Sequence, residues 1–214
     1  MTGADDRGLE PGREASVPSA LAHERRDHAT AVLTATVEKR DATAFVHAGR
    51  GCEPSIRYSC ASVPRGQTAV AYDGIADEWL VRAADTTDAH PAVDLAATLA
   101  ERGREGTILT PPSVPHDAAL YLENAGFEVA STDAIERARA TKTAGERERI
   151  AAAEQAASAG IRQAASLLAD ATVVDGRLAV ADENGDTIAL TAARLRTVID
   201  EAIVAMNSQH GTLA

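Results

Sequence analysis

The amino-acid sequence predicts an α/β fold, in which a mixed β-sheet flanked by helices is followed by a mainly helical carboxy-terminal segment. Three observations predict it. Up to Asp133, short apolar runs bounded by Gly, Pro and Asp alternate with helical patterns. Beyond Asp133, apolar residues recur at spacings of three and four, the mark of amphipathic helices. Hydrophobic residues make up 45% of the 214 residues but aromatics only 3%, so the core must be built from Ala, Val, Leu and Ile, and Ala favours helix.

The elements follow in order. Residues 1–18 are polar, contain Gly and Pro and show no period, which predicts a disordered tail. Ser19 to Arg40 reads as a helix with Leu21, Ala29, Val32, Leu33 and Val37 on one face, and Thr43 to Ala48 as a buried strand. Gly49 to Pro54 is a loop by composition, and Ile56-Arg57-Tyr58 continues it. Thr68–Tyr72 and Glu78–Val81 flank Asp73-Gly74 as a hairpin. A helix from Pro91 to about Gly103, a strand at Thr107–Thr110, a helix from Pro115 to Asn124 and a strand at Phe127–Ala130 complete a domain spanning 19–133. In 134–214, Thr143 and Glu146 fit a capping box before a long helix carrying Ile150, Ala153, Ala157, Ile161, Ala164 and Leu168. Leu178–Val180 and Ile188–Leu190 form a small hairpin, and Thr191 caps a last helix with Leu195, Val198, Ile199, Ala202 and Met206 on one face.

The formal charge of −11 disfavours nucleic acid as a partner. No run approaches the ~20 apolar residues of a membrane-spanning helix, and the amino terminus has no signal-peptide core, so a cytoplasmic protein is expected. Cys52 and Cys60 are expected to be free thiols. Lys39 and Lys142 are the only lysines, and the acidic, Ala- and Asp-rich composition resembles that of cytosolic proteins from salt-loving archaea or high-GC bacteria.

Three stretches resemble the creatinase, prolidase and Xaa-Pro aminopeptidase family. Arg40-Asp-Ala-Thr-Ala-Phe-Val-His47 is similar to its opening helix-to-strand passage. Ile56 and Tyr58 match its Asn-Ile-x-Tyr-Leu-Thr-Gly segment, although Ser55 replaces the Asn and Ser59-Cys60-Ala61 the Leu-Thr-Gly. Lys142-Thr143-Ala-Gly-Glu146, leading into the Ala-rich helix with Ile150, is similar to the junction between its two domains. The resemblance implies a creatinase amino-terminal-like, ribonuclease-H-like domain followed by the first helices of a pita-bread catalytic domain. It also implies that the metal site, two divalent ions (Mn or Co) held by two Asp, one His and two Glu, lies beyond these helices. No catalytic or metal-ligating residue is therefore expected in this chain, and a peptide substrate only in a complete relative.

Other motifs have blander explanations. His23 and His28 are one residue too far apart for a zinc helix, and at about 100° per residue their rings point roughly 140° apart. Asp85, Asp88 and His90 read as a polar turn and helix entry, and His116-Asp117 as a helix start. Asp182 to Asp186 lacks calcium-loop spacing, with Gly185 fourth and Ala193 twelfth. His47, Cys52 and Cys60 match no common zinc spacing. Gly49-Arg-Gly51 lacks the rest of a phosphate loop.

The resemblance leaves two functions open: a peptidase portion, inactive alone, with a structural or oligomerisation role, or a non-catalytic protein- or peptide-binding module. The expected partner is a second copy or a separate catalytic segment, and Ile56, Arg57 and Tyr58 are the candidate partner-facing loop. The acidic surface should repel itself in dilute buffer and be screened in concentrated salt. Molar KCl is therefore expected to raise the melting temperature; a melting curve flat or falling with salt would contradict that.

Overall fold

The computed structural model describes residues 19–60, 66–86, 89–182 and 185–209; the tail expected over 1–18 lies outside them. The chain divides into two compact units between Thr143 and Ala144.

The first unit begins with α1 (Ser19–Lys39) and β1 (Ala42–Arg50), with Asp41 in a left-handed conformation (φ 49°) at the junction. Then come α2 (Pro54–Ser59), the hairpin β2 (Gln67–Asp73) and β3 (Glu78–Ala83), and α3 (Pro91–Glu101). The unit closes with β4 (Thr107–Thr110), α4 (His116–Asn124), β5 (Glu128–Ser131) and α5 (Ala134–Ala140). The strands form one mixed sheet in the order β3-β2-β1-β4-β5, antiparallel across β3, β2 and β1 and parallel across β1, β4 and β5.

Successive side chains of a strand face opposite sides, and β1 is buried on both. Ala44, Val46 and Ala48 join Ala69, Ala71 and Leu80 under Leu95 and Leu99 of α3 and Leu122 of α4. Phe45 joins Tyr72 and Leu109 on the other face, under Leu33 and Val37 of α1 and Ile135 of α5. Because α5 contributes Ala134, Ile135 and Ala138 to this core, it belongs to the first unit rather than to the helical segment expected to start at 134.

Polar tips orient α1 on its face. Thr34 Oγ1 lies 2.6 Å from the Tyr72 hydroxyl, which donates to Asp77 Oδ1 at 2.8 Å, and Trp79 Nε1 donates to Thr30 Oγ1 at 2.8 Å. At the turn of the hairpin, the fully buried Asp73 accepts the backbone N–H groups of Ile75 and Ala76 at 3.2 Å. Both its carboxylate oxygens accept from Arg104 Nε at 3.0 Å.

The second unit contains α6 (Ala144–Ala169), a three-stranded antiparallel sheet of β6 (Thr172–Val174), β7 (Arg177–Ala181) and β8 (Thr187–Ala189), and α7 (Ala192–Gln209). Thr191 Oγ1 accepts the Arg194 N–H at 3.2 Å, the expected cap of α7, and β6 extends the expected hairpin. The contact face of α6 differs from the stripe expected. Its buried positions are Glu146, Ala156 and Gly160, whereas Ile150, Ile161 and Leu168 stay exposed. Gly160 sets this arrangement, because a Cβ there would meet Ile199 Cγ2 at 3.1 Å and Ile203 Cγ1 at 3.2 Å. Close approach of two helices selects the smallest side chain, not the most apolar row. None of the described helices is long and apolar enough to cross a membrane.

Removing one partner of a buried ion pair strands the other charge. Asp73→Ala is therefore expected to destabilise the fold by about 3 kcal/mol in chemical denaturation. Asp133→Ala, which breaks a surface pair with Arg137, should cost under about 1 kcal/mol. Equal effects would contradict this account.

Candidate functional site at the turn between β1 and α2

The turn after β1 and the start of α2 gather several of the polar side chains that the first unit buries, His47, Ser55 and Thr68 among them. The Glu53 carboxylate folds back over the strand, and a Cβ at Gly49 would lie 2.6 Å from Glu53 Oε1. Gly49 leaves room for this placement of the flexible Glu53 side chain. Glu53 precedes α2 but makes no side-chain cap; it accepts the Arg50 N–H at 2.8 Å instead. Pro54 then fixes the first turn of α2, where a missing N–H costs nothing.

The carboxylate also lies 3.9 Å from His47 Nε2, and that nitrogen shares a 2.8 Å hydrogen bond with Ser55 Oγ. His47 is 1% exposed, and among the described residues its Nδ1 has no hydrogen-bond partner. Burial drives the His47 pKa down to about 4 against the opposing pull of Glu53, so the ring is neutral at pH 7. Thr68 Oγ1, across from Gly49 in the ladder, is likewise buried and unpartnered among the described residues. The arrangement holds a turn rather than a nucleophile. In a hydrolase triad the carboxylate orients the nitrogen opposite the serine, whereas here Glu53 and Ser55 approach the same one.

Ile56, Arg57 and Tyr58 were expected in a partner-facing loop. The structure places them in a helix, because Pro54 starts one there, and turns two of them inward. Ile56 is fully buried with Cys60 and Val70, and Tyr58 packs in the α1 core, where Arg25 lies 5.9 Å over its ring. Arg57 keeps partial exposure. Cys52 is exposed, Cys60 is buried, and both are free. Burial pushes the Cys60 thiol up to about 11 despite Arg26 nearby, which leaves it protonated and inert at neutral pH.

The remaining polar motifs serve local structure. His90 Nδ1 accepts the Ala92 N–H at 3.2 Å and caps α3, and its ring lies 5.1 Å from that of Tyr121. Asp117 Oδ1 accepts the Ala118 N–H in the first turn of α4, and Asp182 Oδ1 accepts the Asp186 N–H across its turn. Asp88 lies outside the described residues. His23 and His28 both lie on α1, His23 exposed and His28 partly buried. Among the described residues no group of three or more His, Cys, Asp or Glu side chains could hold a metal ion, so they do not fit the metal pair that the resemblance implies.

Sequence reasoning missed the cluster of His47, Glu53 and Ser55. Its partners come from a strand, a turn and a helix, and no periodic pattern links them. The one available signal was Gly49, a glycine within the strand itself, which marks close approach of another group.

An Xaa-Pro dipeptidase from Bacillus anthracis matches this architecture with a TM-score of 0.51 at 14% identity, over 84% of this chain and 49% of that one. The chain shares its fold with about half of that dipeptidase. The α/β architecture expected from sequence, a mixed sheet flanked by helices and then a mainly helical segment, is therefore the observed one. Dipeptidase PepE from Mycobacterium ulcerans matches with a TM-score of 0.45 at 22% identity, over 91% of this chain and 51% of that one. Prolidase from Pyrococcus furiosus matches with a TM-score of 0.46 at 13% identity, over 79% and 48%. The chain thus spans about half the length of the solved structures it matches. No protein-family model and no curated protein matches the sequence.

The buried His47 makes stability depend on pH with a definite sign. Its folded value of about 4 lies below the 6.5 of the unfolded chain. Between those values the unfolded state binds a proton that the folded state does not, so stability is full above pH 6.5 and falls as pH drops toward 4. The loss is on the order of 3 kcal/mol. His47→Gln is expected to remove this part of the acid sensitivity; a variant whose denaturation midpoint follows the parent from pH 7 to pH 4 would disprove it.

Proposed function

We propose that this chain is the amino-terminal portion of an Xaa-Pro aminopeptidase- or prolidase-like metallopeptidase. It shapes the fold and the oligomer, while the metal chemistry lies on residues outside this sequence. The observation that carries the reading is the match of 84% of this chain to 49% of an Xaa-Pro dipeptidase. In this reading two divalent ions, Mn or Co, and an Xaa-Pro peptide are bound only when the catalytic portion is supplied. The chain acts as a homodimer or docks a separate catalytic segment, and of Ile56, Arg57 and Tyr58 it is the partly exposed Arg57 that meets the partner. The free thiols Cys52 and Cys60 suit the reducing cytoplasm.

A non-catalytic protein- or peptide-binding module is the second reading. It is favoured by apolar side chains left in solvent on the second unit, with Ile161 69%, Val173 72% and Val204 58% exposed.

Incubation of the purified chain with an Xaa-Pro dipeptide and manganese or cobalt, in high-salt buffer, tests the first reading. No turnover, from protein that melts cooperatively, is the expected result. Metal-dependent turnover that survives repurification would overturn it.

A further inference from the structure

We propose that β3 pairs antiparallel with β3 of a second copy, across a two-fold axis at Leu80, joining the two sheets edge to edge. The inference deepens the homodimer reading above and rests on it. β3 ends the sheet, and the ladder fixes which of its backbone groups are free. In the register of β2 with β3, Thr68 lies opposite Ala83, and the Ala84 N–H donates to the Gln67 carbonyl at 2.9 Å. Bonded pairs alternate along an antiparallel ladder, so Glu78, Leu80 and Arg82 direct their backbone groups at β2. Trp79 and Val81 direct theirs outward, at an edge that no further strand of the described residues covers.

A two-fold axis at Leu80 sets Trp79 opposite the partner's Val81 and Val81 opposite the partner's Trp79. These are the residues whose N–H and C=O groups point outward, so each facing pair can exchange both bonds. The same register sets Glu78 opposite the partner's Arg82, twice over by symmetry. It also places an aromatic beside a β-branched side chain, and opposite charges face to face. Any other register spoils one of these matches. Shifting by one residue turns outward-facing backbone groups against inward-facing ones, and shifting by two separates the charges.

The side chains are already arranged for the exchange. Glu78, whose side chain is 52% exposed, accepts from Arg102 Nη1 at 2.7 Å and keeps its second carboxylate oxygen for the partner's Arg82, and Val81 is 38% exposed. Arg82 is steadied by Asp94, which accepts from its Nε at 2.9 Å, while its Nη1 donates to the Val81 carbonyl at 3.1 Å. That contact satisfies the outward carbonyl in a single copy. On pairing, the carbonyl passes to the partner's Trp79 N–H, and Nη1 becomes free for the partner's Glu78, with Asp94 still in place. The opposite edge offers no such match. The charged residue of β5 is Glu128, and a two-fold axis at the centre of that strand sets it against Ser131.

Sedimentation velocity of the full chain over a concentration series, in molar KCl to screen the net charge, tests the proposal. A monomer–dimer equilibrium is expected. Val81→Pro removes an outward N–H but none of the ladder to β2, so it should abolish dimers at unchanged melting temperature. Glu78→Lys sets like charges across the axis and should weaken association by on the order of tenfold or more; it decides the matter if the proline variant fails to fold. A dimer that persists in both variants overturns the β3 pairing and leaves the homodimer reading standing. A parent chain that is monomeric at every concentration overturns both.

Discussion

Strand β1 leaves no face for water, and the first unit is arranged around that constraint. A strand covered on both sides needs helices above and below it, which α3 and α4 supply on one face and α1, α2 and α5 on the other. The two faces differ in grain. One meets its helices through Ala44, Val46 and Ala48; the other carries Phe45 and the only histidine of the strand. Alanine lets α3 and α4 settle close to the sheet, while the bulkier face needs polar tips such as Thr34 and Tyr72 to set the position of α1. A chain so poor in aromatics places most of what it has on that second face or its rim: Phe45, Tyr58, Tyr72 and Trp79.

Polar burial follows the same division. Asp73 is reached by Arg104 from the segment after α3 and by its own turn, so its charge is satisfied. His47 is not satisfied in that way. It has one hydroxyl at one nitrogen and stays neutral because burial outweighs the nearby carboxylate. One buried group thus anchors a hairpin through charge, and the other holds a turn by remaining uncharged.

Most of the scaffold was legible in the sequence. β4 runs from Thr107 to Thr110 as its composition says, and α1, α3, α4 and α7 lie where spacing and caps put them. Short elements were not legible. α2 has six residues, too few for a helical period to show, and its apolar pair Ile56 and Tyr58 could as well have belonged to a strand end. β6, three exposed residues long, carries no alternation to read. The stripe on α6 misled for a different reason: apolarity marked Ile150, Ile161 and Leu168, but packing chose Ala156 and Gly160. The polar cluster at the turn was illegible because its geometry depends on where a strand and a short helix end up relative to each other.

The distribution of aromatic residues gives the two units unequal optical visibility. Trp79, all three tyrosines and both phenylalanines fall before Thr143, and residues 144–214 contain none. Ultraviolet emission and near-ultraviolet dichroism therefore report on the sheet unit alone, with Trp79 beside Tyr72 and under Arg26 at the sheet's outer edge. The helix pair of the second unit contributes to the peptide signal but is dark to both. An unfolding curve followed by fluorescence and one followed by backbone dichroism thus observe different parts of the same polypeptide, and any gap between their midpoints measures how independently the two units come apart.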